Sequence, residues 1–269
     1  MRPVDLVDIG ANLTHPDFRR DLPEVLDRAR SAGVSQVVVT GTSEVESRKA
    51  QALAERFPGV LFATAGVHPH DARSWGPRTI HAIEELLRAP GVVAVGETGL
   101  DFYRDSSPRP AQERVFEAQV ELAADQRLPL FLHERGAHGR FLAVLSRYRD
   151  ALPAAVVHCF TGAGDELRAY LDLDLHVGVT GWVCDERRGL GLREVIRQVP
   201  AGRLMIETDA PYLLPRTLGR LPAGRRNEPA YLTEVLAGVA SALGRPAAEV
   251  ARATTATARA FFGLLAPPT

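Results

Sequence analysis

Eight short apolar runs, separated by longer amphipathic stretches, constrain this sequence more than any other feature. They fall at residues 4–9, 34–40, 60–65, 92–96, 128–132, 154–157, 175–179 and 204–206. Most are continuous rather than alternating, as expected of parallel strands buried on both faces. The stretches between them read as helices. In residues 112–126, Val115, Phe116, Ala118, Leu122 and Ala123 form one apolar face, with Glu113, Glu117 and Glu121 opposite. Residues 165–171 and 192–199 are shorter versions of the same pattern, and 231–243 and 247–262 read as closing helices. Eight strands alternating with helices predict an α/β fold, the (β/α)8 TIM barrel. A doubly wound open sheet is the competing arrangement, but no Gly-rich dinucleotide loop follows the first run. The chain has 269 residues, 45% of them apolar, which suffices for one large barrel. Nothing mid-chain reads as a linker, so a single domain over residues 1–269 is the simpler expectation.

Composition excludes some classes of function. The formal net charge is −1, so the surface as a whole is no trap for nucleic acid, and any phosphate binding must come from a local cluster. Asp5 and Asp8 interrupt the start of the chain, unlike a signal peptide. No apolar run approaches the roughly 18 residues that a spanning helix needs. The two cysteines, Cys159 and Cys184, make a poor disulfide framework and suit a reducing compartment. The expectation is a cytoplasmic, monomeric protein with no membrane partner.

Catalytic groups of a barrel sit at the carboxyl ends of its strands. Glu97 ends the fourth run, His133 the fifth, His158 the sixth and Asp209 the eighth. Neutral imidazoles plus carboxylates hold a divalent cation while leaving positions for water and substrate. Such a cation polarises a phosphoryl oxygen and lowers the pKa of bound water. A carboxylate at the rim takes the proton as that water attacks, and Asp209, at the end of the last strand, is best placed to do so. Taken singly, each residue has a blander reading, as a packed histidine or a helix-capping carboxylate. Four of them at four equivalent strand ends point to one metal site: Glu97, His133, His158 and Asp209, with Glu97 and Asp209 catalytic.

The longest irregular segment, residues 210–228, holds Pro211, Pro215 and Pro222 together with Arg216, Arg220, Arg225 and Arg226. Loops this long are more often functional than idle. Arginine forks match phosphate oxygens, which makes Arg225 and Arg226 candidate substrate contacts, with Arg135, His68 and Asn12 nearer the metal. The competing reading is a solvated loop held by its own ion pairs. Aromatic content is 6%, so no broad stacking platform is advertised. Trp182, Phe102, Tyr103 and Tyr212 are the candidates near strand ends, and each fits core or rim packing equally well.

Several words in the sequence carry a resemblance. They are DIGANLT at residues 8–14, AGVHPH at 65–70, GETGLD at 96–101, HCFTG at 158–162 and ETDAPYL at 207–213, extended by TGWVCDERRG at 180–189 and RRNEP at 225–229. With these, nearly the whole chain resembles the TatD family of metal-dependent deoxyribonucleases, within the amidohydrolase-like barrels. The resemblance implies a barrel, a magnesium-type divalent cofactor, and 3′→5′ exonuclease activity on DNA, preferring single strands, and on RNA. It implies that Glu97, His133 and His158 are metal ligands, Asp209 is a ligand or general base, and His68 of the His-Pro word touches substrate.

There are two departures. Many relatives carry a His-x-His pair at the end of the first strand, where this chain has Gly10 and Asn12. That narrows the expectation to one strong metal position completed by substrate. Glu134 stands where relatives often have cysteine, as an outer or water-binding group. Manganese or zinc suits the same donors as well as magnesium. Related barrels cleave other bonds, so deacylation of a misacylated (D-aminoacyl) tRNA ester is the first alternative. A non-catalytic binding barrel, supported by the missing His-x-His pair alone, is the second. A DNA-repair exonuclease, an oligonucleotide scavenger and a tRNA-quality enzyme could share these residues.

Overall fold

A computed structural model describes residues 5–266. The strands are β1 Leu6–Ala11, β2 Val34–Val39, β3 Leu61–Ala65, β4 Val92–Asp101, β5 Leu130–Arg135, β6 Ala155–Val157, β7 His176–Val179 and β8 Leu204–Ile206. They belong to one sheet in sequential order. The paired neighbours β3–β4, β4–β5, β5–β6 and β7–β8 are parallel. Ala11 bridges Ala210 in parallel just beyond β8, so the last strand returns to the first. The fold is a (β/α)8 TIM barrel. All eight apolar runs are strands; Val4, in the first of them, lies outside the described residues.

The helices are α1 Leu22–Ser31, α2 Glu44–Arg56, α3 Pro77–Leu87, α4 Arg109–Gln126, α5 His138–Tyr148, α6 Gly164–Asp172, α7 Gly189–Ile196, α8 Leu232–Leu243 and α9 Ala247–Phe262. Each closes a strand-to-strand crossover or packs at the end of the chain. None is long and apolar enough to cross a membrane.

The chain divides into two compact units. One holds the residues through Val38, Cys159–Leu167 and those from Val177 on; the other holds Val39–His158 and Arg168–His176. In the first, α9 is strapped to β1 and β2. Arg259 pairs with Asp5 at 2.7 Å and donates to Gln36 Oε1, and Thr255 donates to the Asp5 carbonyl.

The second unit centres on β4, where the structure departs from the sequence expectation. The fourth run was expected to stop at Gly96, but the strand continues to Asp101 across a register irregularity between Val95 and Thr98. A break of this kind re-aims side chains and is tolerated where glycine relieves the backbone. Gly96 (φ 147°) and Gly99 (φ 146°) supply that relief on either side of Glu97.

Helix α4 also differs from its expected face. Its buried residues are Gln112, Val115, Phe116, Gln119, Val120 and Ala123, whereas Ala118 and Leu122 are half-buried. Two glutamines therefore take places that an apolar stripe would fill, and both are fully hydrogen-bonded, as buried amides must be. Gln119 Oε1 accepts from Val67 N at 2.7 Å, while its Nε2 donates to Val67 O and Thr98 Oγ1. Gln112 Oε1 accepts from Asp101 N at 2.9 Å, and its Nε2 donates to the Asp101 and Ser107 carbonyls.

Candidate metal centre and active site

In the second unit, the ends of β3, β4, β5 and β6 deliver a cluster of imidazoles around one carboxylate. Glu97 is buried within β4, and its Oε1 lies 2.9 Å from His133 Nδ1, 2.8 Å from His158 Nε2 and 3.4 Å from His68 Nε2. His133 sits in β5, opposite Gly99 of β4. His158 directly follows β6 and is anchored by its own N–H on the Leu132 carbonyl, with its ring against Phe131. His68 follows β3 at the start of a 3-10 turn, Pro69–Ser74. Ligand-capable atoms of His68, Glu97 and His133 all lie within 4.8 Å of one another.

A second carboxylate backs the cluster. Asp101, at the end of β4, is buried; its Oδ2 is 2.7 Å from His70 Nε2 and 3.5 Å from His133 Nε2. Its Oδ1 accepts from the Tyr103 and Arg104 N–H groups. His133 Nε2 is buried without a hydrogen-bond partner among the described residues. Asp101 carries no separate role in the sequence pattern. The signal available was position, since Asp101 closes the same GETGLD word and a carboxylate often orients a metal-binding histidine.

The charges follow from this packing. Burial alone would raise the Glu97 carboxyl, but electrostatic attraction to the His158 and His68 rings and the hydrogen bonds from His133 and His158 hold it well below the usual carboxylate range. Burial likewise opposes charge on His133, yet Asp101 and Glu97 outweigh it and raise its pKa. Asp101 is lowered against its own burial by His133, the Arg104 N–H and His70. His68 is lowered, because burial prevails over the attraction of Glu97. Two carboxylates thus flank His133, an arrangement that favours positive charge at this point and suits a divalent cation. The donor set fits a divalent metal.

His68 differs from the other two. Its Nδ1 accepts from the His70 N–H at 3.1 Å, which leaves Nε2 as the protonated nitrogen of a neutral ring. It therefore faces Glu97 as a donor.

The first unit holds the other strand-end residues. Asp209 lies three residues past β8 in a left-handed conformation (φ 54°), which aspartate tolerates better than most residues. Its N–H donates to Gly10 O at 2.8 Å, and Asn12 Nδ2 donates to its Oδ1 at 3.0 Å. Asn12 therefore orients the Asp209 carboxylate. Beneath them Asp8 is fully buried, accepting from Thr208 N at 2.9 Å and from its hydroxyl at 2.5 Å. Burial pushes its carboxyl up to about 7 against those hydrogen bonds. Glu207, also fully buried, accepts from Cys159 N.

The RRNEP segment turns out to brace this unit. Arg226 forks onto both oxygens of Asp21 at 2.8 and 2.7 Å and lies over the Phe18 ring. Buried Asn227 donates to the Thr208 and Tyr212 carbonyls at 2.9 and 2.6 Å, and Glu228 pairs with Arg28. Arg216 is engaged by Asp185 at 3.0 Å. For these two arginines the loop is held by its own ion pairs, while Arg225 is exposed. Arg135 is also exposed, at the end of β5, over the Tyr103 ring. Both oxygens of Glu134 are engaged internally, by Ala137 N and by the Tyr170 hydroxyl.

A family model described as TatD related DNase matches residues 7–263. The chain belongs to the TatD DNase family. It is 53% identical over 259 residues to the 3'-5' ssDNA/RNA exonuclease TatD of Klebsiella pneumoniae (strain 342), covering 96% of this chain and 98% of that relative. The corresponding exonuclease of Pantoea ananatis is 50% identical over 260 residues, covering 97% and 100%. Among solved structures, the TatD homolog YJJV of Escherichia coli K12 superposes with a TM-score of 0.89 at 30% identity, covering 97% of this chain and 98% of the homolog. Membership makes this chain a metal-dependent hydrolase of nuclease type.

Proposed function

We propose that this chain hydrolyses phosphodiesters from the 3′ end of single-stranded DNA and of RNA, using a divalent cation. The observation that carries the reading is the convergence of three imidazole nitrogens on one buried carboxylate oxygen, Glu97 Oε1. Glu97, His133 and His158 would hold the cation, with Asp209 as a further ligand or the base. When bound, such a cation polarises a phosphoryl oxygen and lowers the pKa of water. Magnesium is implied by the family; the nitrogen-rich donors suit manganese and zinc at least as well.

The protein's own groups then have distinct tasks. The Asp209 carboxylate, oriented by Asn12, takes a proton from the attacking water. His68 Nε2–H donates to a phosphoryl oxygen, because its Nδ1 is already occupied by the His70 N–H. Asp101 fixes His133 and His70 in place. Arg135 and Arg225, both exposed, supply phosphate contacts. Arg226 contributes by holding the 225–229 segment to Asp21 rather than by touching substrate. The two cysteines, neither of them in a disulfide, suit a reducing cytoplasm.

The test is a product-resolved digestion of end-labelled single-stranded DNA and RNA, after chelation, with Mg2+, Mn2+ and Zn2+ restored one at a time. The expected result is stepwise release of mononucleotides from the 3′ end, restored by one or more cations. An aminoacylated tRNA serves in parallel. Chelator-sensitive ester cleavage without nucleotide release would overturn the proposal in favour of deacylation.

A further inference from the structure

The fold holds most of its large side chains inside, yet Tyr103 is 71% exposed, the most exposed aromatic among the described residues. Its placement is not loose. The Tyr103 N–H donates to Asp101 Oδ1 at 3.1 Å, and the adjacent Phe102 N–H donates to the Arg135 carbonyl at 2.9 Å. The Arg135 guanidinium lies over the Tyr103 ring, 4.2 Å from its centroid. Asp101 and Arg135 are cross-strand partners at the ends of β4 and β5. The ring and the guanidinium are therefore mounted on the two strands that carry Glu97 and His133, through the same aspartate that fixes His133.

Arg135 also differs in charge environment from several arginines of the strand-end loops. Arg226 and Arg216 each have a carboxylate within ion-pair distance. The neighbouring Arg109 is held by Asp105 over the Phe102 ring. Among the described residues Arg135 has no such carboxylate, and a ring is its partner. It lies two residues beyond His133 on β5, roughly 7 Å along the strand and on the same side by the strand's two-residue period. A fixed cation with no protein counter-charge, backed by a solvent-facing π surface beside a phosphodiester site, has the chemistry of a single-strand nucleotide subsite.

Resting on the nuclease reading above, we propose that Tyr103 and Arg135 form the subsite for a nucleotide flanking the scissile phosphate. Tyr103 stacks on its base, and Arg135 neutralises its phosphate. Stacking on one tyrosine ring is tolerant of base identity, so the subsite selects unpaired bases rather than a sequence. A base still paired in a duplex does not offer its face, and this gives a physical basis for a preference for single strands.

The test uses the full chain and single-stranded oligonucleotides carrying 2-aminopurine or an abasic residue at successive positions from the 3′ end. Binding is read in chelator by 2-aminopurine quenching, and turnover is read with the restored cation. Tyr103→Ala is expected to weaken binding and raise KM on the order of 10- to 100-fold, and Tyr103→Trp to retain both. The loss should vanish on the strand whose abasic residue occupies the subsite, because removing the base and removing the ring break the same contact. Arg135→Ala should flatten the salt dependence of binding, and Arg135→Lys should restore it in part. Hydrolysis by the parent with no Tyr103 dependence of quenching or KM overturns the subsite and leaves the nuclease reading standing. Failure of the parent to release any nucleotide overturns both.

Discussion

Gly99 offers a direct way to move His133 without touching its side chain. A Cβ added there would lie 1.8 Å from the His133 carbonyl oxygen, 2.8 Å from its carbonyl carbon and 3.1 Å from its nitrogen. All three are backbone atoms that no rotamer change relieves. Reaching ordinary contact near 3.4 Å requires β4 and β5 to part locally by about 1.6 Å. Gly99→Ala also places a side chain at φ 146°, a conformation that costs about 1–3 kcal/mol on its own. Overpacking adds about 1–3 kcal/mol. A loss of roughly 4 kcal/mol fits within typical domain stability, so the variant should fold with Tm lowered by roughly 10 °C. Metal bonds tolerate only about 0.2 Å, so the same displacement should weaken cation binding by at least 10- to 100-fold. Gly59→Ala is the control, since Gly59 also has positive φ (77°) but nothing within 4 Å of its Cβ. Calorimetric titration with Mn2+ or Zn2+, at a temperature where circular dichroism shows both variants folded, separates strain from site damage. If Gly99→Ala bound the cation like the Gly59→Ala control, the assignment of His133 as a ligand held by this strand pair would be refuted.

The remaining tests address the other unit and the chemistry. Asp209→Asn should lower kcat by two orders of magnitude or more while leaving the Tm in chelator within about 1 °C, measured on end-labelled single-stranded DNA; unchanged turnover would mean that the activity is not its own. Asn227→Ala removes two donors from buried carbonyls and should cost about 2–4 kcal/mol in urea unfolding; a loss under 1 kcal/mol would mean that the segment is not a brace. Asp8, with its carboxyl raised to about 7, binds more protons folded than unfolded between about pH 4 and pH 7. Its contribution to stability therefore falls as pH rises through that window, by at most about 4 kcal/mol, and levels off above it. Asp8→Asn keeps an oxygen for both backbone donors and lets the Thr208 hydroxyl reverse, so unfolding in chelator should lose that slope; an unaltered slope would count against a neutral Asp8 in the fold.

The barrel was legible because strands buried on both faces must be continuously apolar, and that pattern survives in one sequence. The ends of strands were less so. The fourth run was expected to stop at Gly96 because polar residues follow, but Thr98 and Asp101 are paired with glutamines that hydropathy cannot see. The same blindness put Ala118 and Leu122 on the buried face of α4 in place of Gln112 and Gln119. Glu97, His133 and His158 were expected to share one site from their strand-end positions, and their side chains do meet at one oxygen. The proton position on His68 was not legible, since it depends on a backbone N–H two residues on. Arg226 was expected among the phosphate contacts as part of an arginine-bearing loop; its ion pair with Asp21, 205 residues away in sequence, is one that no local pattern reveals.

The two glutamines of α4 tie the chemistry to a surface helix. The Val67 and Asp101 amides, next to His68 and within β4, are bonded to α4 side chains rather than to neighbouring strands. Their protons can exchange with solvent only when the helix lifts away. Helix undocking and loss of the cluster are then a single opening event, seen as matched hydrogen-exchange rates at Val67 and Asp101. An additive that loosens α4 would disturb the Glu97 cluster without approaching it.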